Sequence, residues 1–404
     1  MTHEQLLVRV GSIAAGLLDD FGGHTSFRLL DSYRARLDRP VLGQVFEDAP
    51  TKVWRHKVRV PAWFANLLPE GQLRGFLAER LGVSASRDAP LLAAVGADLP
   101  GAVTVEPTGV ELDPSDDVPE ADPPIRSDGA EDGVRFSVAG YQLKFSMARS
   151  DDRKGLTLPG RGQLGGWLVK LPSTAFPEVP RNEWTIMRWA GAVGLSVPEV
   201  DLVDVGDLDL PDGIGTLPEP LAFAIERFDR GPGGARVHIE DLNQVLGRWP
   251  HEKYQGASFE SLGAVIGGVT GSSDDLIEFV RRLVFMVAVG NEDAHLKNWS
   301  LIYRDGRSAR LAPAYDLVST VTYGGLQRGL GLSLARSKRF TDVSRASFAR
   351  LSQRVGLDEL SVLAAVDDTR ERILASVDEF APQLGPLESG LRAHLRTVPL
   401  FKAE

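Results

Sequence analysis

The 404-residue chain contains no cysteine. Disulfides, thiolate zinc sites and cysteine nucleophiles are thereby excluded together, and a cytoplasmic setting is the natural expectation. No run of about eighteen apolar residues occurs, so no membrane span is expected. The apolar stretch Val10 to Leu18 carries two glycines and runs into Asp19-Asp20 with no small-residue cleavage pattern. It reads as a glycine-punctuated strand pair rather than a secretory signal. Lysine is scarce, at nine of the 45 basic residues, and four of the nine (Lys144, Lys170, Lys253, Lys297) fall inside the motifs described below. A lysine kept in a chain that otherwise uses arginine suggests a need for a compact ammonium rather than a planar fork.

A basic stripe is also missing. The net charge is −10, and residues 107–133 hold nine acidic side chains against Arg126 alone, with five prolines and no aromatic ring. That segment reads as a solvated linker or mobile loop. The remainder, 44 basic residues against 46 acidic, is not the profile of a general nucleic-acid binder. Any DNA contact would need a local patch or a partner. The length implies two or three domains, and the 43% apolar and 25% charged fractions are those of a soluble globular protein.

What the chain does carry is Asn291-Glu292-Asp293-Ala294-His295-Leu296-Lys297-Asn298, followed by Ala314-Tyr315-Asp316. An Asp, an Asn five residues on and a second Asp eighteen residues later follow the order of a phosphoryl-transfer site. Such a site aims a hydroxyl and neutralises phosphate charge, which hard oxygen ligands holding Mg²⁺ do well. Asp293 is the candidate base, and Asn298 and Asp316 the candidate Mg²⁺ ligands. The same residue types also make plain polar turns, and Asp316 could be a cap. His295 either braces the loop or ligates a metal. Lys297 either meets the transferring phosphoryl group or is a solvated lysine.

Short strands at Leu6 to Val10, Val53 to Val60 and Ala102 to Val105, with a helix near Gln72 to Leu81, occupy the first 106 residues. From Val134, VRFSVAGYQLKFSM reads as a strand pair turning at Ala139-Gly140. The strand Gly166 to Leu171 stops at Pro172 and carries Lys170, either a nucleotide-gripping lysine or an edge device. Asn182 is positioned to cap a helix ending at Gly194. On that helix Glu183 is either the partner of Lys170 or a first-turn acid. Strands Val200 to Val205 and Leu221 to Phe228 complete a small sheet. After Asp229 the pattern turns helical: a helix from Asp274-Asp275 to Val289, then helices over 345–355, 358–379 and 388–396. A small sheet followed by a helical lobe is the kinase plan.

The ordered strings SVAGYQLK, WLVKLP, AIERFDR, EDLNQVLG, GNEDAHLKNWS and LAPAYDLVS resemble the HipA family of serine/threonine kinase toxins. FANLLPEG and LPGAVTV resemble that family's small N-terminal subdomain. The likeness spans nearly the whole chain and weakens after about Leu351. It implies an α+β, two-lobed protein-kinase-like fold. Residues 1–106 would be the extra N-terminal subdomain, 107–133 a linker, 134–228 the sheet-rich N-lobe core and 229–404 an all-helical C-terminal lobe.

The likeness also implies ATP and Mg²⁺. Ser137, Val138, Ala139, Gly140, Gln142 and Lys144 would cover the phosphates, Lys170 would grip them, and the main chain of Glu226 and Phe228 would meet the adenine. His295, Asn298 and Asp316 would complete the nucleotide site, and Asp293 with Lys297 the catalytic pair. Ser137 would be the autophosphorylated serine that disables the kinase. Tyr141 stands where the family usually has Ala, and Ile239 stands at the head of its QED-type motif, otherwise kept as Glu240, Asp241 and Gln244. Those residues and Lys253-Tyr254 would brace loops or position substrate. The implied partners are a HipB-like helix-turn-helix antitoxin, operator DNA reached mainly through it, and a protein substrate such as an aminoacyl-tRNA synthetase. A non-enzymatic co-repressor with a retained kinase fold and a small-molecule kinase are the competing readings.

Overall fold

The structure, a computed structural model, describes residues 4–111, 143–149, 156–157, 164–210, 214–324 and 329–402. The chain divides into two compact units. The first gathers the described residues of 1–134, 229–253 and 300–309. Its sheet comprises β1 (Glu4–Val10), β2 (Ile13–Asp20), β3 (His24–Leu29), β4 (Trp54–Lys57) and β5 (Val103–Glu111), in the order β4-β3-β2-β1-β5. Leu6, Val8 and Val10 of β1 are buried and alternate with more exposed neighbours, the period-two pattern of a half-buried strand. Gly11, at φ +57°, turns the chain into β2, so Val10 to Leu18 lies in a strand pair. β4 stops short of Val60 because Val58 adopts φ +63°, which an extended strand cannot contain. β5 runs on to Glu111, taking in the first residues of the acidic segment through pairing with β1.

Two helices, α1 (Gly71–Leu81) and α2 (Asp88–Val95), belong to the same unit. Its core is aromatic: Phe27 meets Phe64 at 4.7 Å between ring centroids and Phe46 meets Trp63 at 5.5 Å. The unit also holds two strands, His238–Asp241 and Ser300–Tyr303, paired antiparallel. This corrects the all-helical reading of the chain after Asp229. The pairing is driven by a buried acid. Glu240 accepts from Trp63 Nε1 at 3.1 Å, from the Gln44 amide at 3.2 Å and from the Tyr303 hydroxyl. Burial pushes its carboxyl up to about 7 against those donors. Asp241 and Gln244 form a capping box on the short helix Leu242–Val245. The QED-type residues are therefore braces here.

The second unit gathers the described residues of 135–228, 254–299 and 310–404. Its sheet runs β7-β6-β8-β10-β9, from β6 (Lys144–Arg149), β7 (Leu156–Thr157), β8 (Trp167–Lys170), β9 (Val200–Asp204) and β10 (Leu221–Glu226). Helix α3 (Val179–Ala192) packs on it. Asn182 does not cap α3: Glu178 does, because Pro180 suits the first turn and starts the helix earlier. Asn182 lies inside the helix, its Nδ2 donating to Ser319 O (3.0 Å) and its Oδ1 accepting from Ser319 N (3.0 Å).

The helices α4 (Phe259–Thr270), α5 (Ser273–Val289), α6 (Arg345–Val355), α7 (Glu359–Phe380) and α8 (Glu388–Thr397) follow. Helix α5 is buried on nearly every side from Phe279 onward, as its all-round apolar sequence requires. Truncating one of its buried Phe or Leu side chains to Ala would cost about 2–5 kcal/mol. No helix among the described residues is long and apolar enough to cross a membrane.

Candidate active site

Strand β8 delivers Lys170 into the interior with only 5% of its surface exposed. Lys144 faces it across the β6–β8 ladder. The Lys170 Nζ lies 2.6 Å from Glu183 Oε1 on α3 and also donates to Asp316 Oδ1. Glu183 is thus the partner of Lys170, placed by the buried α3 stripe that continues through Ile186, Met187 and Ala190. Burial pushes the Glu183 carboxyl up to about 7, since it shares a single ammonium with Asp316. Burial also opposes the Asp316 charge, but the Lys170 and Lys144 ammoniums outweigh it and hold that carboxyl at about 2. Burial opposes the Lys170 charge too, and the two carboxylates overcome it, so its pKa is raised. Asp316 itself sits at φ +55°, a left-handed conformation that Asp tolerates better than most side chains.

Helix α5 ends at Gly290, φ +66°, where a Cβ would fall 2.3 Å from Val321 Cγ2. Only glycine permits both the conformation and the approach. The chain then enters the loop Asn291 to Asn298. Asn291 is fully buried: its Oδ1 accepts the Asp293 amide at 3.0 Å and its Nδ2 donates to the Asp316 carbonyl at 3.3 Å. Tyr315 adds a second tie, its hydroxyl donating to Lys297 O at 2.7 Å. The Thr320 hydroxyl accepts the Glu292 amide (2.7 Å) and donates to the Gly290 carbonyl (3.0 Å). These bonds hold the two acidic segments together.

Asp293 is nearly buried. It accepts from the Tyr254 hydroxyl, and His295 Nε2 stands 4.0 Å from the same oxygen. The Tyr254 and His295 rings meet edge to face at 4.9 Å. His295 thus stands beside the acid with its ring against Tyr254. Asn298 is 4% exposed, and its Oδ1 has no hydrogen-bond partner among the described residues. A buried amide oxygen left without a donor is costly unless a cation or ligand satisfies it.

Asp293, His295, Asn298, Asp316, Lys170 and Lys144 thus lie on elements of one unit, joined by hydrogen bonds or facing strands. Lys297 is half-buried at the end of the loop. Glu226 points its side chain to solvent at the end of β10, and its amide donates to Glu199 O at 2.9 Å. The Phe228 ring packs against Tyr315 at 5.7 Å. Ser137, Val138, Ala139, Gly140 and Gln142, with Tyr141, lie outside the described residues. Sequence reasoning gave no role to Asn291 or Tyr315, although both stand in motif strings, and Tyr254, expected to brace a loop or position substrate, is found on Asp293.

The donor set fits Mg²⁺ and a nucleotide phosphate: an ionised carboxylate, a buried unpartnered amide oxygen and two lysines on facing strands. No group of three His, Cys, Asp or Glu able to hold a metal occurs among the described residues. Mg²⁺ asks for none, because it takes one or two protein ligands and completes its shell from phosphate and water.

A HipA-like C-terminal domain profile matches residues 136–377, and a HipA N-terminal domain profile matches residues 6–106. The chain belongs to the HipA family. It is 41% identical over 389 residues to Y4dM of Sinorhizobium fredii, covering 94% of this chain and 93% of that one. It is 28% identical over 382 residues to the serine/threonine-protein kinase toxin HipA of Shewanella oneidensis, covering 86% and 83% of the two chains. A chain in the solved complex of Shewanella oneidensis HipA, HipB and its operator DNA aligns with a TM-score of 0.70 at 22% identity, over 96% of each chain. That likeness establishes the α+β HipA fold for this chain.

Proposed function

We propose that this HipA-family protein is an ATP- and Mg²⁺-dependent serine/threonine protein kinase, the toxin of a toxin–antitoxin module. The observation that carries the reading is Asn291, whose one side chain ties the Asp293 amide to the Asp316 carbonyl while Asp316 pairs with Lys170. A hydroxyl-directing acid and a phosphate-directing cluster are thereby held in one frame, which is what phosphoryl transfer asks of a protein. Asn298 and Asp316 would hold Mg²⁺, which would supply positive charge against the phosphates. Lys170, fixed by Glu183, and Lys144 supply positive charge to the phosphates. Asp293 orients the acceptor hydroxyl and takes its proton as the γ-phosphoryl group passes from ADP's oxygen to the serine or threonine oxygen. Tyr254, by donating to Asp293, holds that carboxylate in place.

The family likeness supports three further parts of the reading. The substrate is a translation component such as an aminoacyl-tRNA synthetase, which would place the protein in the cytoplasm. The neutralising partner is a HipB-like helix-turn-helix antitoxin. Operator DNA is engaged through that antitoxin. The test of the kinase reading is transfer of radiolabelled phosphate from Mg·ATP by the wild type and by Asp293→Asn. Transfer should nearly vanish in the variant while ATP binding by calorimetry stays intact. Loss of both together would place Asp293 in the fold or the metal shell instead.

A further inference from the structure

A cavity of about 780 Å³ opens beside α4 and α6, away from the residues assigned above. Arg336, Arg350 and Arg354 line it, against the single acid Glu260. None of the three arginines forms an ion pair or hydrogen bond with another described residue. Glu260 is already engaged, its Oε1 accepting the Ala335 amide at 2.6 Å. All three are exposed, so they present positive charge to solvent on a protein of net charge −10. An anionic group entering the cavity would meet it.

The backbone that carries Arg336 is itself unusual. Leu334 and Ser337 exchange amide–carbonyl bonds of 2.8 and 3.0 Å around the two-residue turn Ala335-Arg336. Both turn residues have positive φ, +50° and +70°. Turns of this kind favour Asn-Gly, so here an Ala and an Arg are held in strained conformations. Glu260 pins the turn, and Arg336 is presented at its tip.

The walls of the cavity lead to the candidate active site. Ser258 and Ser333 bridge in parallel, with the Phe259 amide donating to Ser333 O at 2.9 Å. Two residues before Ser333, a Cβ on Gly331 would lie 2.6 Å from the Ala294 carbonyl oxygen, so this backbone presses on the Asp293 loop. Four residues before Ser258, Tyr254 donates to Asp293. The intervening residues bend, and four residues span at most about 13 Å, so Ser258 lies within about 13 Å of Tyr254.

We infer that this cavity docks an acidic side chain of the protein substrate, within about four residues of the phosphorylated serine or threonine. The inference rests on the kinase reading. Arginine suits the task because its fork meets a carboxylate with two parallel hydrogen bonds. A local cluster is also what an acidic substrate needs in order to approach a protein of like net charge.

The test uses the full chain and a fluorescein-labelled serine peptide with glutamates three and four residues on either side, read by anisotropy. The wild type should bind it, and binding should weaken at least tenfold in R350E/R354E, tenfold or more when lysines replace the glutamates, and steeply with salt. Arg336→Ala should weaken it by a smaller factor. Mg·ATP binding by calorimetry should be unchanged in every variant, which shows that the fold is intact. Equal binding of acidic and lysine peptides, or undiminished binding by R350E/R354E, would overturn the inference and leave the kinase reading standing. So would a loss confined to duplex DNA, which would make the cluster a nucleic-acid contact. Failure of the wild type to bind Mg·ATP would instead count against the kinase reading on which the inference depends.

Discussion

Replacing Asp316 by Asn changes one charge and little else. The amide keeps the shape of the carboxylate and still offers an oxygen to Lys170 Nζ. What disappears is the ion pair: the bond from the Lys170 ammonium keeps its charged donor but meets a neutral oxygen. Titration sets the size of the loss. The carboxyl lies at about 2 in the folded protein against 3.8 ordinarily, which is about 2 kcal/mol at 1.36 kcal/mol per unit. Because the folded value is depressed, that contribution is present above pH 4 and is lost as pH falls through about 2. With Asp316 neutral, Lys170 belongs to Glu183 alone, and the Glu183 carboxyl should drop from about 7. Turnover should suffer far more than stability. A charge removed beside reacting phosphates costs roughly 10²–10³-fold in rate. Urea unfolding and radiolabel transfer on the same preparation separate the two effects. Wild-type turnover in Asp316→Asn would refute the metal-ligand assignment, and a stability loss above about 4 kcal/mol would refute the isosteric reasoning.

Three further outcomes are expected. Tyr254→Phe removes the donor that holds Asp293 in place, so kcat should fall roughly tenfold with ATP affinity unchanged; an unchanged kcat would make Tyr254 a packing residue only. Glu183 and Glu240 both have folded values raised to about 7, so their contribution is complete below about pH 4.5 and is lost as pH rises through 7; the nucleotide-free protein should melt a few degrees lower at pH 8 than at pH 5.5, and a higher Tm at pH 8 would contradict this. A phosphate on Ser137 adds about −1.5 to −2 charges over the nucleotide, so Ser137→Asp should bind ATP poorly and mass spectrometry after incubation with Mg·ATP should find the modification; an active enzyme with Ser137 unmodified would end the self-inactivation proposal.

The periodic elements were legible in the sequence because they report only local exposure. Alternation marked β1 and β8, and apolar spacing with capping residues marked α5 and the helices over 345–355, 358–379 and 388–396, each within a residue or two of the observed Arg345–Val355, Glu359–Phe380 and Glu388–Thr397. Strand β3, HTSFRL, has too many polar residues to show such a pattern, and its membership in the sheet comes from pairing with β2 and β4. The order Asp293, Asn298, Asp316 was readable too, and the structure ties the backbones of Asp293 and Asp316 together through Asn291.

Partnership was not legible. Asn182 is a good helix cap by composition, yet it spends both side-chain groups on Ser319, 137 residues away. His238–Asp241 and Ser300–Tyr303 pair across some sixty residues, around an acid whose donors come from Gln44 and Trp63. Glu183 could equally have been a first-turn acid until β8 and α3 brought Lys170 to it, and Lys170 reaches Asp316 over 146 residues. The basic cavity draws on Ser258, Ser333 and Arg354, which no window of sequence joins. A side chain's local pattern records how much water it meets. Which group it meets in place of water is decided only when distant segments close on one another, and that choice is where the buried charges, the raised and lowered carboxyl groups and the frame around Asp293 arise.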